Sequence, residues 1–225
     1  MTIKRSDSQG PLLLENLYDQ FLSLLLEKIN PGHDSSLSLC FSSCRPREGT
    51  STIIFNMAIA LSRSISKKIL LIDGNTRNPI LHTWFNVDRL TPGLVDVLQG
   101  KSDFETALKR DKKGLFSFMS VGCEVEHPIV LFDSREFDHF MDRARELYDI
   151  ILYDAPALVM APETTVLARK LDGFVMIVEA EKTRWEVAKH QKQQLADGGV
   201  RFTGAILNKK KMFIPRLVYR LLLAD

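Results

Sequence analysis

Short, nearly uninterrupted apolar runs alternate along the chain with segments whose apolar residues recur every three or four positions. The runs Ile69-Leu70-Leu71-Ile72, Ile150-Ile151-Leu152 and Phe174-Val175-Met176-Ile177-Val178 suit strands buried on both faces rather than strands with one wet side. The pattern predicts strands over residues 37–42, 69–73, 116–121, 149–154, 173–179 and 202–207. Helices are predicted over 50–64, 134–146, 163–170 and 183–195, with shorter ones over 93–98 and 104–109. A further helix over 12–28 precedes them, ended by the Asn30-Pro31-Gly32 turn. Strands interleaved with helices mean βαβ units, so the expected fold is α/β: a doubly wound, mainly parallel sheet with an extra N-terminal helix. The expected divisions are an N-terminal helical segment at 1–34, the α/β domain at 35–211 and a basic amphipathic tail at 212–225.

Composition narrows the class without naming a function. The 225 residues are 45% hydrophobic and 26% charged, which fits one globular domain and excludes a disordered or disulfide-scaffold chain. No apolar run approaches the roughly 20 residues that span a bilayer. No apolar stretch follows the basic residues of the N-terminus, which argues against a secretory signal. Three cysteines, Cys40, Cys44 and Cys123, show no paired spacing and fit a reducing, cytoplasmic setting. The net charge of +2 gives no reason to expect nucleic acid as a partner. Locally the balance is different: Lys209, Lys210, Lys211, Arg216 and Arg220 crowd the C-terminus with no acid among them.

In a doubly wound fold, ligands gather at the C-terminal ends of the strands. Three such ends carry chemistry here. The first runs Ser43-Cys44-Arg45-Pro46-Arg47-Glu48-Gly49-Thr50-Ser51-Thr52, directly after a strand and opening a helix. Its context and its Gly49-x-Ser51-Thr52 ending match a phosphate-binding P-loop, but position 44 is Cys instead of Gly and position 50 is Thr instead of Lys. The N–H groups of the helix start still attract an anion, and the Ser51 hydroxyl still suits Mg²⁺. What is missing is the ammonium that bridges the outer phosphates. Removing one partner of such a desolvated charge pair costs about 2–5 kcal/mol, roughly 30- to several-thousand-fold in affinity. Arg45 and Arg47 are the nearby cations that would have to compensate. The second strand end is Asp73-Gly74-Asn75-Thr76-Arg77-Asn78-Pro79 and the third is Asp154-Ala155-Pro156. Either aspartate alone is weak, because Asp favours turns. Together, facing a phosphate loop in the right order, they read as a Mg²⁺-nucleotide site.

These segments resemble the bacterial tyrosine kinases of capsule and exopolysaccharide export, which belong with the ParA- and MinD-type ATPases to the deviant-Walker group of P-loop proteins. The likeness covers nearly the whole chain from about Glu15. Pro46, Glu48, Gly49, Ser51 and Thr52 match the loop, and Asn56-Met57-Ala58 resembles the family's Asn-Leu-Ala. The 73–79 segment resembles its Asp-x-Asp-x-Arg-x-Pro, and 93–100 its Gly-Leu-x-x-x-Leu-x-Gly. The strand ending at Asp154 resembles its Walker B strand, and 204–208 the strand whose terminal Asn lies by the nucleotide base. The resemblance implies ATP or ADP with Mg²⁺ as cofactor, bound by Arg45, Arg47, Glu48, Gly49, Thr50, Ser51, Thr52, Arg77 and Asn208. Ser51, Asp73 and Asp154 would hold the metal, and the two aspartates would be the catalytic pair.

The departures cluster on that chemistry. Besides Thr50, the second acid of the Asp pair is Asn75, and the Glu of the family's Asn-Pro-x-Glu-Leu-Leu is Val130. Both arginines of the N-terminal Glu-x-x-Arg-x-x-Arg, linked to ring assembly, are replaced by Tyr18 and Phe21. Tyr219 is the only tyrosine after Tyr153, so the C-terminal tyrosine cluster is gone. The expected function is therefore that of a kinase-poor accessory of exopolysaccharide biosynthesis, acting mainly by binding a membrane polysaccharide co-polymerase of the Wzz-like kind. The alternatives are a working tyrosine autokinase and a ParA/MinD-type positioning ATPase. Homo-oligomers belong to the family, and the basic stretch 209–225 offers peripheral membrane contact, although packing of that tail against the domain explains it at least as well. Cys44, Trp84, Phe85, Trp185, Tyr148, Tyr153 and the five histidines are expected to serve packing or surface, not chemistry.

Overall fold

The structure is a computed structural model that describes residues 36–110 and 114–210. The helix expected over 12–28 and the tail over 212–225 lie outside the described residues. The elements run β1 Leu37–Ser43, α1 Thr50–Ser64, β2 Ile69–Asp73, α2 Leu81–Trp84, α3 Leu94–Leu98, α4 Phe104–Ala107, β3 Leu108–Arg110, β4 Ser117–Met119, α5 Pro128–Phe132, α6 Arg135–Leu147, β5 Ile150–Asp154, a 3₁₀ turn Leu158–Met160, α7 Glu163–Arg169, β6 Gly173–Glu179, α8 Trp185–Asp197 and β7 Phe202–Asn208. The seven strands form one sheet in the order β3-β4-β2-β5-β1-β6-β7, parallel except for the β3–β4 pair at one edge.

The apolar runs behave as expected. β2 and β5 are buried at every position, and alternate side chains enter two separate cores. On one face Leu39, Phe41, Leu71, Leu152 and Ile177 pack with Ile54, Met57 and Leu61 of α1. On the other, Cys40, Ile72, Ile151, Tyr153 and Met176 pack with Phe137, Phe140 and Ala144 of α6 and Leu167 of α7. Both faces being covered is what parallel strands require. Phe85 joins the α1-side core, stacked on Phe118 with ring centroids 4.0 Å apart, while Trp84 and Trp185 stay partly to largely exposed. Cys44 is buried beside Met176, and burial pushes its thiol up to about 11. It is a packing residue, as expected, with no depressed thiol pKa.

Most element boundaries move by a residue or so, and three differ by more. α4 stops at Ala107 and the chain turns into β3, a short antiparallel edge strand where a helix to 109 was expected. α8 starts at Trp185, not 183, behind an extended Arg184, and the Thr183 hydroxyl is engaged on Glu48. β4 is limited to Ser117–Met119, the stretch in parallel register with Leu70–Ile72. The topology puts β1 inside the sheet, flanked by β5 and β6, so the loop leaving β1 lies among the ends of several strands.

Candidate nucleotide and metal site

The loop from Cys44 to Gly49 joins β1 to α1, and five contacts set its shape. The Ser43 hydroxyl donates to the Arg45 carbonyl at 2.8 Å, and the Arg45 N–H donates to Glu48 Oε2 at 3.1 Å. The other oxygen of the buried Glu48 carboxylate accepts from the Thr183 hydroxyl. Asn208 Nδ2 donates to the Glu48 carbonyl at 2.7 Å, and Lys209 Nζ to the Arg47 carbonyl at 2.7 Å. Glu48 is therefore a scaffold inside the loop, tying its first half to the segment before α8. Gly49 is obligatory: its φ of 99° is left-handed, and a Cβ there would lie 2.4 Å from Asn208 Nδ2. Arg47 also has a positive φ, 68°, without being Gly.

Past Gly49 the helix begins, with Ile53 N–H donating to the Gly49 carbonyl at 3.0 Å. Among the described residues nothing accepts the N–H groups of Gly49, Thr50, Ser51 or Thr52, the donors an unoccupied helix start offers to an anion. The backbone half of a phosphate cradle is present. The cationic half differs from the family pattern. Thr50 is buried and brings no charge. Arg45 and Arg47 are exposed on the loop. Arg77 forks onto Glu163, with Nε 2.7 Å from Oε1 and an Nη 3.2 Å from Oε2, and that carboxylate is fully buried. Its guanidinium thus neutralises an internal acid.

The two aspartates are brought together as expected. Asp73 and Asp154 are register partners on neighbouring strands β2 and β5, both completely buried. Their environments differ. Asp73 accepts the N–H of Asn75 at 3.2 Å and of Leu81 at 3.1 Å. Burial still pushes it up to about 7, against the pull of those bonds and of Arg89. Asp154 is pushed well above the usual carboxylate range by burial and by Asp73, and the nearby Ser51 hydroxyl pulls it back only in part. Neither Asp154 oxygen has a well-formed hydrogen bond, nor does the Tyr153 hydroxyl. Asn75, at the family's second acid, has its side chain in the turn, accepting the Asn78 N–H at 3.0 Å. Val130 lies exposed on α5, away from any acid-like role.

The orphaned buried carboxylate of Asp154, with Asp73 as its register partner and the Ser51 hydroxyl nearby, fits a hydrated Mg²⁺, which needs only a few oxygen ligands from protein. Asp154, Asp73 and Ser51 are the residues that would hold it, and it would supply charge neutralisation for phosphate oxygens. Among the described residues there is no cluster of three or more His, Cys, Asp or Glu suited to a metal. Lys209 was read from sequence only as part of the basic tail. Its position immediately after the Asn that ends β7 was the available signal.

Residues 37–198 match the family model described as cellulose biosynthesis protein BcsQ. The tyrosine-protein kinase YwqD of Bacillus subtilis is 31% identical over 175 residues, which cover 78% of this chain and 73% of that protein. The chain belongs to the family of BcsQ and the bacterial tyrosine kinases. The kinase domain of the Escherichia coli tyrosine kinase ETK superposes with a TM-score of 0.78 at 18% identity, covering 96% of this chain and 88% of that one. MinD of Aquifex aeolicus superposes with a TM-score of 0.64 at 24% identity, over 82% of this chain and 73% of that one. The fold is thus that of the kinase domains and of MinD-type P-loop proteins, and the resemblance read from the motifs holds. Its relatives include tyrosine kinases, and the BcsQ match adds cellulose biosynthesis to the polysaccharide systems in view.

Proposed function

We propose that this chain is an accessory of exopolysaccharide or cellulose assembly, built on a tyrosine-kinase domain that grips nucleoside triphosphate poorly. It acts mainly by binding a membrane polysaccharide co-polymerase at the inner face of the membrane. The observation that carries this reading is the buried, uncharged Thr50 at the centre of an otherwise formed N–H cradle. The other cations within the described site are spoken for or point outward. Arg77 serves Glu163, Lys209 serves Arg47 and Glu179, and Arg45 and Arg47 are exposed. An anion in the cradle would meet backbone dipoles and, with Mg²⁺, a metal, but no bridging ammonium. Among the described residues no helix is long and apolar enough to cross a membrane.

The test is binding of MgATP to the wild type and to Thr50→Lys, followed by capture of the co-polymerase's cytoplasmic segments. Wild type is expected to bind the co-polymerase with or without ATP. Loss of that binding in nucleotide-free buffer would refute the reading. One observation favours the active-kinase alternative: the Asp73–Asp154 pair is intact and buried at the expected strand ends. Labelled ATP and a phosphotyrosine blot on purified protein decide between them.

A further inference from the structure

We infer that Asn208 and Lys209, the last residue of β7 and the one after it, are positioning residues that hold the phosphate loop in its anion-accepting shape. The inference rests on the nucleotide-loop reading above and adds residues to it. Their side chains seize two consecutive carbonyls of the loop, Glu48 O from Asn208 and Arg47 O from Lys209, each at 2.7 Å. No peptide bond here is cis, so each carbonyl points opposite to the N–H of the following residue. Holding the Glu48 carbonyl against β7 therefore turns the Gly49 N–H away from β7, and that N–H has no acceptor among the described residues. Holding the Arg47 carbonyl fixes the preceding peptide plane, at a residue whose positive φ of 68° is not one a non-Gly residue adopts freely.

The clamp is itself braced. Lys209 Nζ lies 3.1 Å from Glu179 Oε2, at the end of β6, and Lys182 shares the same carboxylate at 3.2 Å. The close approach of Asn208 to Gly49 and a Lys209 Cε only 3.8 Å from where a Gly49 Cβ would stand show that the two side chains lie directly on the loop. Thus Lys209 contributes hydrogen-bond geometry. Its Nζ is held by the Arg47 carbonyl and Glu179, so it stands in this position as a brace and not in the place of the ammonium absent at position 50. A loop that has lost its lysine yet keeps this brace stays pre-shaped for phosphate, which is why a single substitution can restore grip.

The experiment uses the full chain carrying Thr50→Lys as parent, with Lys209→Met, Lys209→Arg and Asn208→Ala added singly. Two readouts are taken: MgADP affinity by calorimetry, and the backbone amide resonances of Glu48 and Gly49 without any nucleotide. Lys209→Met and Asn208→Ala are expected to weaken MgADP about tenfold each, the scale of one lost charge-assisted or neutral hydrogen bond. Both should also shift or broaden the nucleotide-free Glu48 and Gly49 amides, while Lys209→Arg restores affinity and spectrum. Unchanged affinity in Lys209→Met overturns the inference. So does a loss of affinity with unmoved nucleotide-free amides, which would make Lys209 a charge donor. If the parent itself fails to bind MgADP, the nucleotide-site reading falls, while the nucleotide-free spectra still decide whether the clamp shapes the loop.

Discussion

Asp96 and Asp154 are both partly or wholly withdrawn from water near the C-terminal ends of strands, yet the protein treats them in opposite ways. Asp96, on α3, has one oxygen accepting two backbone N–H groups, Gly93 at 2.9 Å and Cys123 at 3.0 Å. Burial alone would raise it, but those bonds win and hold it below the usual range. Gly122 leaves room for it: a Cβ there would lie 2.1 Å from Asp96 Oδ2. Asp154 has no such donors and is raised by burial and by Asp73. The difference separates a carboxylate that fastens a loop from one that the fold leaves without a donor. The first is satisfied by the fold, and the second is left costly until a proton or a cation arrives.

Substitutions at the two positions should therefore have opposite signs. Asp96→Ala leaves two N–H groups without their acceptor and should cost about 2 kcal/mol in a urea unfolding series. A loss below a few tenths would show that the Gly93–Cys123 loop does not need its fastening. Asp154→Asn keeps the shape and removes an acid whose ionisation burial opposes, and at a pH where the unfolded carboxyl is ionised it should stabilise metal-free protein by about 1 kcal/mol. The same variant should lose the stabilisation that Mg²⁺ gives the wild type. Destabilisation in metal-free buffer would reveal a partner for Asp154 that the structure does not show.

The pH dependence sharpens the contrast and is smaller. Asp73, raised to about 7, binds its proton more tightly folded than unfolded. Its effect on stability is therefore absent well below pH 4 and grows unfavourable as pH rises from about 4 to about 7. Asp96 is lowered, so its contribution is present above its unfolded pKa near 4 and is lost as pH falls through the lower, folded value. Thermal unfolding in chelator should show stability declining from pH 5 to 7. Asp73→Asn should flatten that slope and Asp96→Ala should leave it in place. A slope unchanged in Asp73→Asn would remove Asp73 from the explanation.

Most of the sheet could be read from the sequence because strands buried on both faces have no polar alternation to confuse with helix. β2 and β6 match their expected bounds, and the three chemistry-bearing strand ends fall where expected. What escaped was built from few residues or from distant ones. β3 is three residues, Leu108-Lys109-Arg110, two of them cationic, at a sheet edge where burial imposes no pattern. α5 is a single turn behind Pro128. In the site, the loop and the aspartates were legible as local motifs. The Thr183–Glu48 bond and the Asn208–Lys209 clamp span more than a hundred residues of chain and exist only once β6 lies beside β1 and β7 beside β6. Arg77 was expected at the nucleotide, and nothing local signals that its partner is Glu163, 86 residues on.

Calorimetric titration of MgATP into wild type and Thr50→Lys, side by side, tests the central claim most directly. The account predicts no binding in the low micromolar range for wild type and a gain of about tenfold or more for Thr50→Lys, in line with restoring one desolvated charge partner. Low-micromolar binding by wild type, unaltered by the substitution, would contradict it.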